Sequence, residues 1–180
     1  MTVHVTPTPA DVIGVLLQNR SSVSQLLDAY AALCERVGDP TEAEKLAIVE
    51  RVSLEVTLNT QVEEELLFPS LHVAGIDLAP FQAFHDTAWA LIAQLSMGDP
   101  GDLRFDTKVL ALGRDLVGRM QQVHDTTLPQ LPPSGIDLGE LGQRMLARKA
   151  HLMEAFDRPA EDDEDEDDDP VGRPMSGTLH

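Results

Sequence analysis

A single cysteine, Cys34, in 180 residues excludes an internal disulfide framework and any cysteine-rich metal centre. Aromatic residues make up only 4% of the chain. Leu, Val and Ala dominate instead, which favours helices over a β-sandwich. No apolar run reaches the roughly 20 residues of a membrane span. The opening MTVHVTPTP has neither the basic region nor the apolar run of a signal peptide, so the expected location is the cytoplasm. Basic residues are scarce, 13 against 31 acidic ones, and the net charge is −18. Such a surface argues against nucleic acid and anionic membranes as partners. There is no glycine-rich phosphate loop, Walker motif or nucleophile elbow. No catalytic constellation is visible, and an enzyme is not expected.

What is present is 42% apolar residues, enough for one domain with a real core. Nine consecutive acids at 161–169 carry half of the net charge. Three segments follow: a flexible arm over 1–8, a helical domain over 9–156 and an acidic tail over 157–180. The tail is expected to be disordered, because its composition cannot bury enough apolar surface to fold. It is also the expected route to a protein partner, if there is one.

The domain reads as helices. Thr8-Pro9 looks like a cap followed by proline in the first turn. Val12, Leu16, Asn19, Val23, Leu26, Tyr30 and Leu33 then repeat at spacings of 4 and 3. A second helix opens with a Thr41…Glu44 capping box, or with Asp39 capping and Pro40 first, and runs to about Phe68. Pro69 is expected to stop it, with a loop to Leu78. A third starts near Ala79-Pro80 and carries Phe81, His85, Ala88, Ile92 and Leu95; Phe81 and Trp89 are expected in the core. A fourth carries Phe105, Val109, Leu112, Leu116, Arg119 and Val123, weakened by Gly113 and Gly118, and stops before Pro129. A shorter fifth, about Leu138–Phe156, has the apolar set Leu138, Leu141, Met145 and Leu152. Short connections predict an all-α fold, an antiparallel up-down-up-down four-helix bundle plus that C-terminal helix. Residues 65–71 and 125–131, ELLFPSL and DTTLPQL, form a weak repeat at an offset of 60.

Each apolar stripe is interrupted by polar residues. They are Asn19 in the first helix, Asn59 and Glu63 in the second, His85 in the third and Arg119 in the fourth. A carboxylate on such a stripe is costly unless something pairs with it. Glu64 and Glu65 are expected on the solvated face beside Glu63. Bundle cores are where iron sites are built from His and Glu on facing helices.

At these residues the chain resembles the hemerythrin-like proteins with HHE cation-binding domains. Their pattern is Asp-His, then His-x-x-x-Glu-Glu-x-x-x-Phe-Pro, then Glu-His, then His-x-x-x-Glu-Glu-x-x-Leu-Phe-Pro, one motif per helix. The matching segments here are Gln18-Asn19, Asn59-x-x-x-Glu63-Glu64-x-x-x-Phe68-Pro69, Phe84-His85 and Arg119-x-x-x-Val123-His124-x-x-x-Leu128-Pro129. The resemblance spans about 10–155 and implies a di-iron centre with four histidines and two glutamates. The six positions hold Asn19, Asn59, Glu63, His85, Arg119 and Val123, so only Glu63 and His85 remain competent ligands. Neutral amides bind iron poorly, and a guanidinium repels it.

The expectation is therefore a bundle that has lost its di-iron centre and binds no cofactor. Arg119 is expected to pair with Glu63 in place of the metal, with Asn19, Asn59 and His85 completing a polar network. The alternative is a mononuclear iron or zinc site of Glu63 and His85, joined by His124 turned inward, acting in iron, O2/NO or peroxide sensing or handling. A third reading makes the acidic tail the working part and the bundle its carrier. His4, His72, His151 and His180 show no spacing that suggests a site.

Overall fold

The structure, a computed structural model, describes residues 10–36, 38, 41–102 and 104–158. These form helices and no strand. α1 is Val12–Glu35, α2 is Glu42–Val62, and a π-helical turn over Glu63–Leu67 leads straight into α3, Phe68–Val73. α4 is Ala79–Ser96, α5 is Phe105–Thr127 and α6 is Leu138–Asp157. Two short 3-10 turns, Leu128–Gln130 and Pro132–Ser134, join α5 to α6. None of these helices is long and apolar enough to cross a membrane.

The helices start where side chains can satisfy their free N–H groups. Asp11 caps α1 by accepting from the Gly14 N–H at 2.8 Å. The Thr8-Pro9 start expected from the sequence lies outside the described residues. α2 opens with the full capping box: Glu44 N–H donates to Thr41 Oγ1 at 3.2 Å, and Thr41 N–H donates to Glu44 Oε2 at 2.9 Å. Asp137 caps α6 through the Glu140 N–H at 2.9 Å. α6 is 20 residues long against 18 for α4, so it is not the shorter helix the sequence suggested.

Packing runs α1 on α2, α2 on α4, α4 on α5 and α5 on α1, with α6 laid along α1 and α2. The core is the inner stripe of these helices, including Val12, Leu16, Val23, Val52, Val56, Phe81, Ala88, Leu116 and Met120. At one end, Asp106 accepts from the buried Tyr30 hydroxyl at 2.7 Å and from Lys45 Nζ at 2.8 Å. One carboxylate thereby ties α1, α2 and α5. Burial and this carboxylate push both the Tyr30 phenol and the half-buried Cys34 thiol above their ordinary values.

Two of the glycines have opposite roles. A Cβ on Gly113 lies 2.5 Å from Leu27 Cδ2, so the residue that lowers helix propensity also lets α1 approach α5. A Cβ on Gly118 meets nothing within 4 Å. Gly118→Ala should therefore stabilise the protein by about 1 kcal/mol, the full helix-propensity difference. Gly142→Ala should destabilise it by about 1–3 kcal/mol, because its Cβ would enter the Ala10 and Asp11 backbone. Urea midpoints of the two variants check both signs.

Candidate functional site

The site is built around a helix that does not stop where a proline should stop it. Pro69 lacks the N–H that would bond to Glu65 O, and in a regular α-helix its ring would press on that carbonyl. The chain avoids the clash by widening for one turn. Over Glu63–Leu67 the pattern is π-helical, and the Phe68 N–H donates to Glu63 O, five residues back. Pro69 then falls in the first turn of α3, where a missing N–H costs little. The expected stop and the loop from Pro69 are thus corrected: the helix continues to Val73.

Widening the turn changes which side chains face the neighbours. Glu63 and Glu64, adjacent in sequence, both reach His85 on α4. Glu63 Oε2 lies 2.8 Å from His85 Nε2, and Glu64 Oε1 lies 2.9 Å from Nδ1. The Glu63 and His85 side chains are each only 4% exposed, whereas Glu64 is 49% exposed. The third glutamate, Glu65, turns to α6 and receives a two-pronged bond from Arg148, 2.6 Å from Nε and 3.0 Å from Nη2. That pairing holds Glu65 well below the usual carboxylate range, at about 2. Glu64 and Glu65 are exposed, as expected, and each also reaches a neighbouring helix, α4 and α6 respectively.

His85 is also held by aromatic rings. Phe68 stacks on it with centroids 5.0 Å apart, and Phe84 meets it edge-on at 5.5 Å. Burial opposes the imidazolium, but the bonds and charges of Glu63 and then Glu64 outweigh burial and raise the pKa above 6.5. An ionised carboxylate can only accept, so with a carboxylate at each nitrogen the geometry favours a ring that donates from both, the imidazolium form.

Arg119 is not the partner of Glu63. It lies on the exposed side of α5 and pairs with Asp115 at 3.1 Å, one turn away. Spacings of 3 and 4 leave 119 and 120 as alternatives between Leu116 and Val123, and the helix turns 120 inward. After Val109 the buried positions of α5 are Gly113, Leu116, Met120, Val123, His124 and Thr127, so Met120 occupies the interior place that strict heptad spacing assigned to Arg119. Val123 is buried, as expected of an apolar residue.

An interior cation does exist, but it comes from α6. Lys149 Nζ lies 2.5 Å from Glu55 Oε1 and 3.1 Å from Asn19 Oδ1. Asn19 and Glu55 are both buried. The sequence reading missed Glu55 and Lys149. The available signal was the gap in the α6 stripe Leu138, Leu141, Met145, Leu152, where position 149 completes the spacing.

Two buried groups remain without hydrogen-bond partners among the described residues. Both amide atoms of Asn59 and the Nδ1 of His124 are bare. Asn59 stands one turn before Glu63 on the same helix face. Burial, and then the charge of Arg20, push His124 down to about 4, so the ring is neutral at pH 7. The neutral His124 ring thus keeps a free buried nitrogen, a donor type that metals accept.

The donor set does not fit a di-iron centre. Asn19 is bonded to an ammonium, Arg119 is outside, Val123 is apolar, and the two surviving ligands, Glu63 and His85, are bonded to each other. No family model, no curated protein and no solved structure matches the chain.

Proposed function

We propose that the chain is a hemerythrin-like domain that has lost its di-iron centre and works as a non-enzymatic binding or structural module. The observation that carries this reading is the way interior acids are neutralised by the chain's own cations. His85 serves Glu63, and Lys149 serves Glu55 beside Asn19. A carboxylate already matched in charge has no need of iron. The closed ring of packed neighbours, α1 to α2 to α4 to α5 and back, supports an antiparallel up-down-up-down bundle with α6 alongside. The turn before Phe68-Pro69 supports the likeness as well, since it delivers Glu63 to the bundle interior.

A second reading has its own observation. His124 keeps a bare buried nitrogen, and Glu64 fixes the His85 ring from behind, as a carboxylate does for a metal-bound histidine. Among the described residues no three such side chains stand grouped for a metal. His124 would have to turn toward Glu63 and His85 to hold one iron or zinc ion with them, and the ion would supply redox or Lewis-acid chemistry for iron, O2/NO or peroxide sensing or handling.

Metal analysis separates the readings. The protein is expressed in iron-supplemented medium, purified without chelator or affinity tag, and measured for Fe, Zn and Mn per chain with its absorption spectrum. Near-zero metal is the expected result. About one ion per chain, lost in Glu63→Ala or His85→Ala, establishes the mononuclear site instead. Two irons with oxo-bridged absorption bands overturn the proposal.

A further inference from the structure

Outside the bundle interior, the face of α4 that carries His85 opens into a surface pocket of about 320 Å³. Gln82, Asp86 and Trp89 line it from α4 at spacings of 4 and 3, one stripe of a helix. Glu64 and Phe68 line it from the π turn and α3, and His85 forms part of its inner wall. Trp89 is the feature that calls for explanation. It was expected in the core, yet it is 43% exposed and stacks on no other described ring. No described residue covers this indole, which shares the pocket with two carboxylates.

The polar groups are equally uncommitted. Asp86 makes no hydrogen bond or ion pair among the described residues. Glu64 uses Oε1 on His85, and no described group bonds its Oε2. Gln82 adds an exposed amide. The pocket therefore combines an aromatic face with carboxylate oxygens in a chain of net charge −18. Negative potential of this kind draws and orients cationic partners.

We infer that this pocket binds the arginine side chain of a partner peptide segment, the guanidinium stacking on Trp89 and donating to Asp86 and to the free oxygen of Glu64. A guanidinium suits the site better than an ammonium. It is planar, so it can lie on an indole face while its edge N–H groups reach carboxylates. It is also weakly hydrated, which lowers the cost of entering a half-apolar pocket. The inference holds whether or not the bundle interior takes a metal, since Asp86 and Trp89 are not among the interior donors.

Trp89 is the only tryptophan in the chain, so its fluorescence reports on this pocket alone. The full-length protein at physiological salt is titrated with acetyl-Gly-Arg-Gly-amide. The same peptide is then used with lysine, or with citrulline, the neutral isostere of arginine. The expected result is a saturable change with arginine, weaker by about 5–10-fold with citrulline and several-fold with lysine. Asp86→Asn should weaken arginine binding by about 3–10-fold at unchanged circular dichroism. Trp89→Leu, followed by calorimetry, should lose the interaction and serves if Asp86→Asn does not fold. Equal responses to arginine and citrulline, or no saturable response, overturn the inference. So does equal binding of lysine, which would mean that charge alone is read. Binding unaffected by Asp86→Asn and Trp89→Leu would place the peptide elsewhere, on the acidic tail for example, and would also overturn it.

Discussion

Lys149→Met should cost about 3 kcal/mol of stability. The substitution keeps the length and apolar stem of the side chain and removes only its ammonium. Glu55, buried beside Asn19, is then left without its cation. Breaking a buried ion pair by removing one partner costs roughly 3–5 kcal/mol. The low end applies here because the Lys149 and Glu55 side chains keep 19% and 10% of their exposure. Glu55→Gln combined with Lys149→Met should recover most of the loss, since the uncompensated charge is gone. Equilibrium urea unfolding of the two variants checks this. A single variant as stable as the parent would mean that α6 docks through its apolar stripe and the Arg148–Glu65 pair alone.

Acidification should unfold the protein through His124, with a second large effect. The ring is buried, and its folded value lies at about 4 against an ordinary 6.5. The unfolded chain binds a proton more readily than the folded one, so the stabilising contribution is complete above pH 6.5 and is lost as pH falls toward 4. The full difference corresponds to about 3 kcal/mol. His124→Leu should remove this limb of the stability curve while leaving neutral-pH stability within about 1 kcal/mol. His85 acts with the opposite sign. Its raised value makes a contribution that is complete below 6.5 and is lost as pH rises through the folded value. Denaturant midpoints between pH 4 and 9 for the parent and for His124→Leu separate the two. An unchanged acid limb in His124→Leu would assign it to the carboxylates instead.

Much of the fold was legible in the sequence because helices announce themselves by capping and periodicity. The Thr41…Glu44 box and the Ala79 start fell where local chemistry put them. The long stripes of α1 and α4 did so as well. What was not legible followed from two properties that spacing rules do not carry. The first is the choice between adjacent positions: from Leu116 to Val123, both buried, spacings of 3 and 4 admit either 119 or 120, and Met120 takes the interior place while Arg119 is exposed. The second is the response of a helix to a proline it cannot accommodate. A proline rule offers stop or kink, and the chain took a third course by widening the turn before Pro69. Glu63 and His85 were identified as interior residues, but their mutual partnership was not. A pairing across helices depends on relative rotation and depth, which no single stripe encodes. Trp89 was misplaced for a similar reason: it shares the helical spacing of the core yet lies just past the edge of the packed face.

The widened turn at 63–67 has a consequence for the history of such a chain. A π turn holds one residue more than the α-helix around it, so it is equivalent to an inserted codon. Losing one glutamate from the run of three would take away that extra residue and set the Pro69 ring against the preceding turn again. The imidazole would then keep one carboxylate and surrender the other. The doubly held histidine is in that sense a trait that an indel of three nucleotides can create or erase, with no change to any residue that packs the core.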